Sequence, residues 1–273
     1  MCDDGGGGAV PLSARAKALQ VRIFSNPQPP TASCFWTEQR TENWFEFRKH
    51  VRSFDGVGVH PITGSNLSTV LGFWEKSRMK EYYDWVRGGE PMELPESSME
   101  ACNHGTEWEP VATQKYKEAA LKSFSWGRRV EVYEVGAYDV YPWLLVSADG
   151  LVSLETDWCA LEIKCPFMRG KKRSHSSIPP YYMPQIQAEM EALNTSACHF
   201  VSYGTSDSKI RVWEVRRERA LWGKIYEAAL GFWCAQTFGE ACSQELEALR
   251  TGIVAQCKAV SYYQCRKLFD GVV

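Results

Sequence analysis

The chain has 273 residues, 31 Lys and Arg against 33 Asp and Glu, a formal net charge of −2 and 44% hydrophobic residues, enough apolar material for one large domain or two small ones. Charged residues at 23% and an aromatic set of 11 Trp, 12 Tyr and 12 Phe exclude disorder for most of the chain. No apolar run approaches the roughly 20 residues of a membrane-spanning helix, and MCDDGGGG lacks the basic-then-apolar order of a secretory signal, so the expectation is an intracellular protein with no membrane partner.

The ten cysteines are scattered without a single C-x-x-C pair, which removes the usual signature of zinc ribbons and iron–sulfur clusters and leaves free, mostly buried thiols. Near-neutral charge gives no whole-molecule attraction to nucleic acid; local basic stretches must supply any.

Residues 1–40, with the Gly run at 5–8 and the NPQPP segment, read as a flexible arm, and 41–273 as a single domain. Within that domain, 41–98 is expected to be helical. Thr41 can cap a helix reaching Val51, and Ser65–Leu71 and Trp74–Val86 form two more, before a polar, Pro-containing loop at Gly88–Ser98. The core, 99–216, begins with a helix over His104–Lys122 whose apolar stripe holds Trp108, Ala112, Tyr116 and Ala119, with Glu109 beside it. Extended runs follow at Val130–Val135, Tyr141–Ser147 and Ala160–Cys165, then a helix over Tyr181–Leu193, then runs at Cys198–Tyr203 and Ile210–Val215. Helix, three strands, helix, two strands is the order of an α/β mixed sheet flanked by helices. From Arg217 to the end, 217–273, the pattern is mostly helical.

The segment LLVSADGLVSLETDWCALEIKCP carries the chemistry. Side chains alternate along a strand, so Glu162 and Lys164 share one face while Leu161 and Ile163 share the other and can enter the core. An Asp-Gly turn at Asp149 would return the chain and set Asp149 beside Glu162. Two carboxylates and a lysine suit a hard divalent cation, which cancels their repulsion. A Glu-x-Lys pair alone is commonly a solvated face, and Asp-Gly commonly only a turn. On the helix YYMPQIQAEMEALN, however, Met183, Ile186, Met190 and Leu193 form one stripe and Tyr182, Gln185 and Glu189 another, so Gln185 can face the charged strand; an ordinary polar helix back has the same spacing. Arg169, Lys171, Lys172 and Arg173 follow that strand, and Arg211, Arg216, Arg217 and Arg219 the last strands, offering phosphate contacts beside the site. Trp36, Trp44 and Trp74 could stack on bases, although core packing is the commoner use of tryptophan.

Taken in order, GTEWEP with Glu109, Ser147-Ala148-Asp149-Gly150, the strand Leu161–Pro166 and the helix residues Tyr182, Gln185 and Gln187 resemble the YqaJ and phage lambda exonuclease branch of the PD-(D/E)xK nucleases. Trp44, Arg48 and Ile62-Thr63-Gly64-Ser65 look like that family's W-x-x-x-R and I-T-[AG]-S, with a longer spacer, and Ala148 stands where the motif has proline. The resemblance spans about Trp44 to Val215 and implies a PD-(D/E)xK restriction-endonuclease-like core. It implies a metal-dependent deoxyribonuclease that digests one strand of duplex DNA from a free 5′ end during recombination or repair. The implied cofactor is Mg2+ or Mn2+, held by Asp149, Glu162, the main-chain carbonyl of Ile163 and Glu109, with Lys164 orienting or deprotonating water and Gln185 placing the lysine and the phosphate. Arg48, Ser65 and Tyr182, with Lys171, Lys172 and Arg173, would bind DNA and its 5′ phosphate. A strand-annealing recombination protein is the implied partner, and a homo-oligomeric ring would explain processive digestion. An endonuclease on the same core and an inactive DNA-end binding module remain the alternatives.

Overall fold

The computed structural model describes residues 39–49, 52–54, 57–86, 95–124, 130–154, 157–167, 170–238 and 244–273; most of the N-terminal arm, with Trp36, lies outside them, as does Arg169. The chain opens with α1 (Glu42–Lys49), capped as its sequence suggests: Trp44 N donates to Thr41 Oγ1 at 3.3 Å. A small ribbon, β1 (Arg52–Phe54) and β2 (Val57–Val59), leads to β3 (Ile62–Thr63), a 3-10 turn at Gly64–Asn66, α2 (Leu67–Val70) and α3 (Lys76–Val86). The helix that carries Glu109, α4, runs over Glu96–Ser123, longer than the apolar periodicity alone marks out, and contains Pro110.

Then come β4 (Glu131–Tyr133), β5 (Tyr138–Tyr141), β6 (Leu144–Val146), β7 (Gly150–Leu154), β8 (Asp157–Lys164), α5 (Met183–Ala192), β9 (Ala197–Gly204), β10 (Lys209–Arg216), α6 (Arg219–Phe238), α7 (Gln244–Ala259), a π turn at Val260–Gln264 and β11 (Arg266–Gly271). The mostly helical pattern from Arg217 is present as α6 and α7, and the exception is β11, which closes the edge of the main sheet against β10. That sheet has the order β11-β10-β9-β8-β7-β4, and β3-β6-β5 form a second. Only the β8–β9 pair of the main sheet is parallel. A parallel pair needs a crossover, and α5 is its helix. This topology lays the polar stripe of α5 over β8.

Alternation on β8 sorts the two faces. Leu161 and Ile163 pack with Val152, Val201 and Val212 beneath Ala112, Tyr116 and Ala119 of α4. Ala160, with Phe200 and Trp213, packs on the other face beneath Met183, Ile186 and Met190 of α5 and Ile225 and Phe232 of α6. Each large side chain fully buried this way contributes about 1.5–3 kcal/mol. Cys159, Cys165, Cys198, Cys234 and Cys257 are buried thiols outside any disulfide, whereas Cys102 is exposed. Among the described residues no helix is long and apolar enough to cross a membrane.

Asp149-Gly150 is not the hairpin turn. Gly150 begins β7, and the return to β8 falls between Leu154 and Asp157. Gly150 serves close approach instead: a Cβ there would lie 3.0 Å from Val132 Cγ1 and 3.3 Å from the Tyr133 carbonyl oxygen on β4. Asp149 nevertheless reaches β8, because it sits where the chain leaves β6 of one sheet for β7 of the other.

Candidate active site

Glu162 is wholly buried although it is an acid, and its pairing with the Lys164 ammonium offsets part of the cost of that burial. Burial, then the nearby Asp149, push its carboxyl up to about 8, with Lys164 acting the other way. Burial pulls Lys164 down, but Glu162 and Asp149 outweigh it and the lysine stands well above its ordinary range, so it is an ammonium here. The Lys164 head lies 5.2 Å from the centre of the Tyr182 ring, which walls the site.

Asp149 is bound to the same strand: its Oδ2 accepts the Ile163 N–H at 2.7 Å, and its own N–H donates to the Leu161 carbonyl at 3.0 Å. This continues the β7–β8 ladder with a side chain where the last backbone pair, Gly150 with Leu161, ends. Glu109 reaches the site from α4. Burial and the charge of Asp149 raise it to about 7, against Arg40, whose guanidinium hydrogen-bonds Glu109 Oε2, and Lys164.

Helix α5 supplies the third wall. Gln185 Nε2 donates to Glu162 Oε1 at 2.6 Å and to Glu189 Oε1 at 2.8 Å, and Glu189 is as buried as Glu162. The sequence placed Glu189 on the stripe with Gln185 but gave it no role; only packing of α5 over β8 reveals it as a fourth carboxylate. Gln187 turns away from the site, taking the Glu218 N–H and donating to the Arg216 carbonyl, so it fastens the entry of α6. His175 is also part of the site's surroundings, edge-on to Tyr182 and lowered to about 4 by burial and by Lys164.

The second carboxylate oxygens of Glu162 and of Glu189 are buried and, among the described residues, find no donor apart from each other's carboxyl. Such orphaned oxygen donors, beside Asp149, fit a hard divalent cation by their chemistry. Among the described residues no three acidic, His or Cys side chains already stand at metal-binding spacing; Lys164 and Arg40 supply the positive charge.

A known protein family, the YqaJ-like viral recombinase domain, matches residues 43–196. The chain belongs to the YqaJ-like family. The matched stretch holds α1 through α5, and with them Arg48, Glu109, Asp149, Glu162, Lys164 and Gln185. Among solved structures, that of LHK-Exo in complex with dAMP is similar at 23% identity and a TM-score of 0.48, covering 81% of this chain and 96% of that one. No curated protein matches. YqaJ membership makes this a recombination nuclease, built on a mixed sheet flanked by helices.

The other residues singled out in the sequence lie on α1, on the turn after β3, ahead of α3, in the loop after β8 and along and after β10. Arg48 lies 4.3 Å over the Trp44 ring, and Trp44 itself is buried. Among the described residues no carboxylate pairs with Arg48, including Glu46. Burial lowers it, and Tyr82, which lies against both Arg48 and Thr63, opposes that shift. Thr63 Oγ1 is in turn 3.2 Å from Ser65 Oγ, and Ser65 is exposed. Lys171 and Arg173 are exposed, and Lys172 stands 5.3 Å over Phe167. The later basic run divides. Arg211 ties the loop after β8 to the sheet through Ser174, His175 and Asp270, and Arg217 is paired with Glu191. Those two hold the fold, while Arg216 and Arg219 are exposed. Trp74 is half-buried against Tyr181, with Arg78 over its ring.

Proposed function

We propose that the protein is a metal-dependent deoxyribonuclease that digests one strand of duplex DNA from a 5′ end. The observation that carries this reading is Glu162: a wholly buried carboxylate on β8, bonded to Lys164 and Gln185, beside an Asp149 bound to the same strand. A fold retains unsatisfied buried acids at a cost, and such clusters are typical of functional sites.

Asp149, Glu162 and the Ile163 carbonyl, with Glu109, would hold Mg2+ or Mn2+. That ion would lower the pKa of water and offset charge on the phosphate and the departing 3′ oxygen. Lys164 enters as an ammonium and donates hydrogen bonds, which orients water and screens the phosphate. Gln185 fixes Glu162, and the Tyr182 ring lies against the lysine ammonium. Arg48 and Ser65 support capture of a terminal phosphate: an arginine with no acidic partner among the described residues, braced on Trp44, is ready for an anion. Exposed Lys171 and Arg173 would contact backbone phosphates, with Lys172 beside them. A strand-annealing recombination protein as partner, and a ring of copies around DNA, accord with this reading.

The experiment is a covalently closed circle beside the same DNA linearised, each with magnesium. Digestion of the linear form alone supports the exonuclease. Rapid cutting of the circle assigns an endonuclease, and no cleavage of either leaves an inactive DNA-end binding module.

A further inference from the structure

Arg40 lies ahead of the residues that the YqaJ family matches, yet its guanidinium rests on Glu109. It is held there by its neighbour. Gln39 donates its main-chain N–H to Glu134 at 2.8 Å and its side-chain amide to the carbonyls of Val135 at 2.7 Å and Ala148 at 2.5 Å. Ala148 immediately precedes Asp149, so residues 39 and 40 are fastened to the very bend that presents the metal-site aspartate. Arg40 adopts a positive φ of 63° to make this approach, a conformation that a non-glycine residue holds only when its surroundings fix it.

Charge and exposure define what Arg40 can do. Among the described residues, four carboxyl groups, of Glu109, Asp149, Glu162 and Glu189, face two side-chain cations, Arg40 and Lys164. Once a divalent ion joined them, Glu109 would no longer depend on Arg40 for compensation. The Arg40 side chain is 37% exposed, against 20% for Glu109, so it is reachable from solvent, and a guanidinium touching one carboxylate oxygen has donors to spare.

We infer that Arg40 is a substrate-binding residue whose guanidinium takes a non-bridging oxygen of the phosphodiester entering the site, Glu109 holding it beside that position beforehand. The inference rests on the nuclease reading and adds to it a residue outside the family motifs. A planar fork of donors matches two phosphate oxygens as it matches a carboxylate.

The test is a binding comparison with calcium in place of magnesium, on two short 5′-phosphorylated duplexes. In one, the first 5′ linkage is a normal diester; in the other it is an uncharged methylphosphonate. Wild type is expected to prefer the diester by about tenfold, the size of one charge-assisted contact. Arg40→Ala should lose that preference, and Arg40→Lys, which keeps the charge without the fork, should keep part of it. Melting temperatures show whether each variant is folded; if Arg40→Ala is not, Arg40→Gln takes its place. The same preference in wild type and in the uncharged variant, or none in wild type, overturns the inference. Magnesium-dependent cleavage by wild type, measured separately, decides the nuclease reading itself.

Discussion

The Gln185 amide nitrogen lies 2.6 Å from Glu162 Oε1. It also reaches Glu189, so one neutral side chain holds two buried acids. Burial raises both; the charge of Asp149 adds to it at Glu162, which reaches about 8, and the charge of Glu162 adds to it at Glu189, which stands well above the carboxylate range. The sign follows. Between the unfolded pKa near 4.5 and those raised values the folded state binds more protons, so this pair loses stability as pH rises through that window.

Glu189→Gln is therefore expected to stabilise the metal-free protein at pH 8 by about 1–3 kcal/mol and to change little at pH 4. Thermal melts at the two pH values check this. A gain of equal size at both would show that ionisation is not its source.

Gln185→Leu should act in the opposite direction. It strips the amide from both carboxylates, and a buried polar group left unsatisfied costs about 1–3 kcal/mol. Denaturant unfolding at pH 7 measures the loss; an unchanged midpoint would mean that the two acids find other donors.

How much of this site the sequence exposes depends on the range of the cause. The alternation that puts Glu162 with Lys164, and Leu161 with Ile163, is local and holds in the structure. So do the Thr41 cap and the stripe that aligns Tyr182, Gln185 and Glu189. What escapes is set by distant partners. RKLFDG has no clear strand alternation and becomes β11 through pairing with β10. Asp149-Gly150 has the composition of a turn, but β4 and β8 on either side draw Gly150 into β7. Glu189 and Arg40 acquire roles only when α5 and the segment ahead of α1 close over the sheet.

His199 predicts an acid limb of stability. It is buried against the Tyr116 hydroxyl, 2.6 Å from Nδ1, and burial lowers it to about 4. A lowered histidine stays neutral in the fold while the unfolded chain takes up a proton below about 6.5, so its contribution is present above that pH and is lost as pH falls towards 4. His199→Gln should shrink the drop in melting temperature between pH 7 and pH 5. An identical drop in mutant and wild type would place the acid sensitivity elsewhere.

Gly204 predicts a loop effect. A Cβ there would collide with Asp207 and with the backbone of Arg173 and Ser174, so the loop bearing Lys171, Lys172 and Arg173 sits close on the end of β9 because residue 204 has no side chain. Gly204→Ala should cost about 1–3 kcal/mol and weaken duplex binding. Salt-dependent affinity measured beside stability checks it; loss of stability with unchanged affinity would detach that loop from DNA.

Arg48→Ala should abolish a preference for 5′-phosphorylated over 5′-hydroxyl ends while slowing later digestion less, since a terminal phosphate carries charge that an internal diester lacks. Initial rates on both end types decide it, and a preserved preference would confine Arg48 to its stacking on Trp44.

The most direct measurement is nucleotide release from a linear 5′-phosphorylated duplex with magnesium, by wild type and by Glu162→Ala in parallel, with DNA binding recorded for each. The expected result is release by wild type and a loss of at least about a thousandfold in Glu162→Ala with binding retained, since the variant would lack a ligand of the proposed metal site. A near wild-type rate in Glu162→Ala would contradict the account, because the chemistry would then not run through the buried carboxylate of β8.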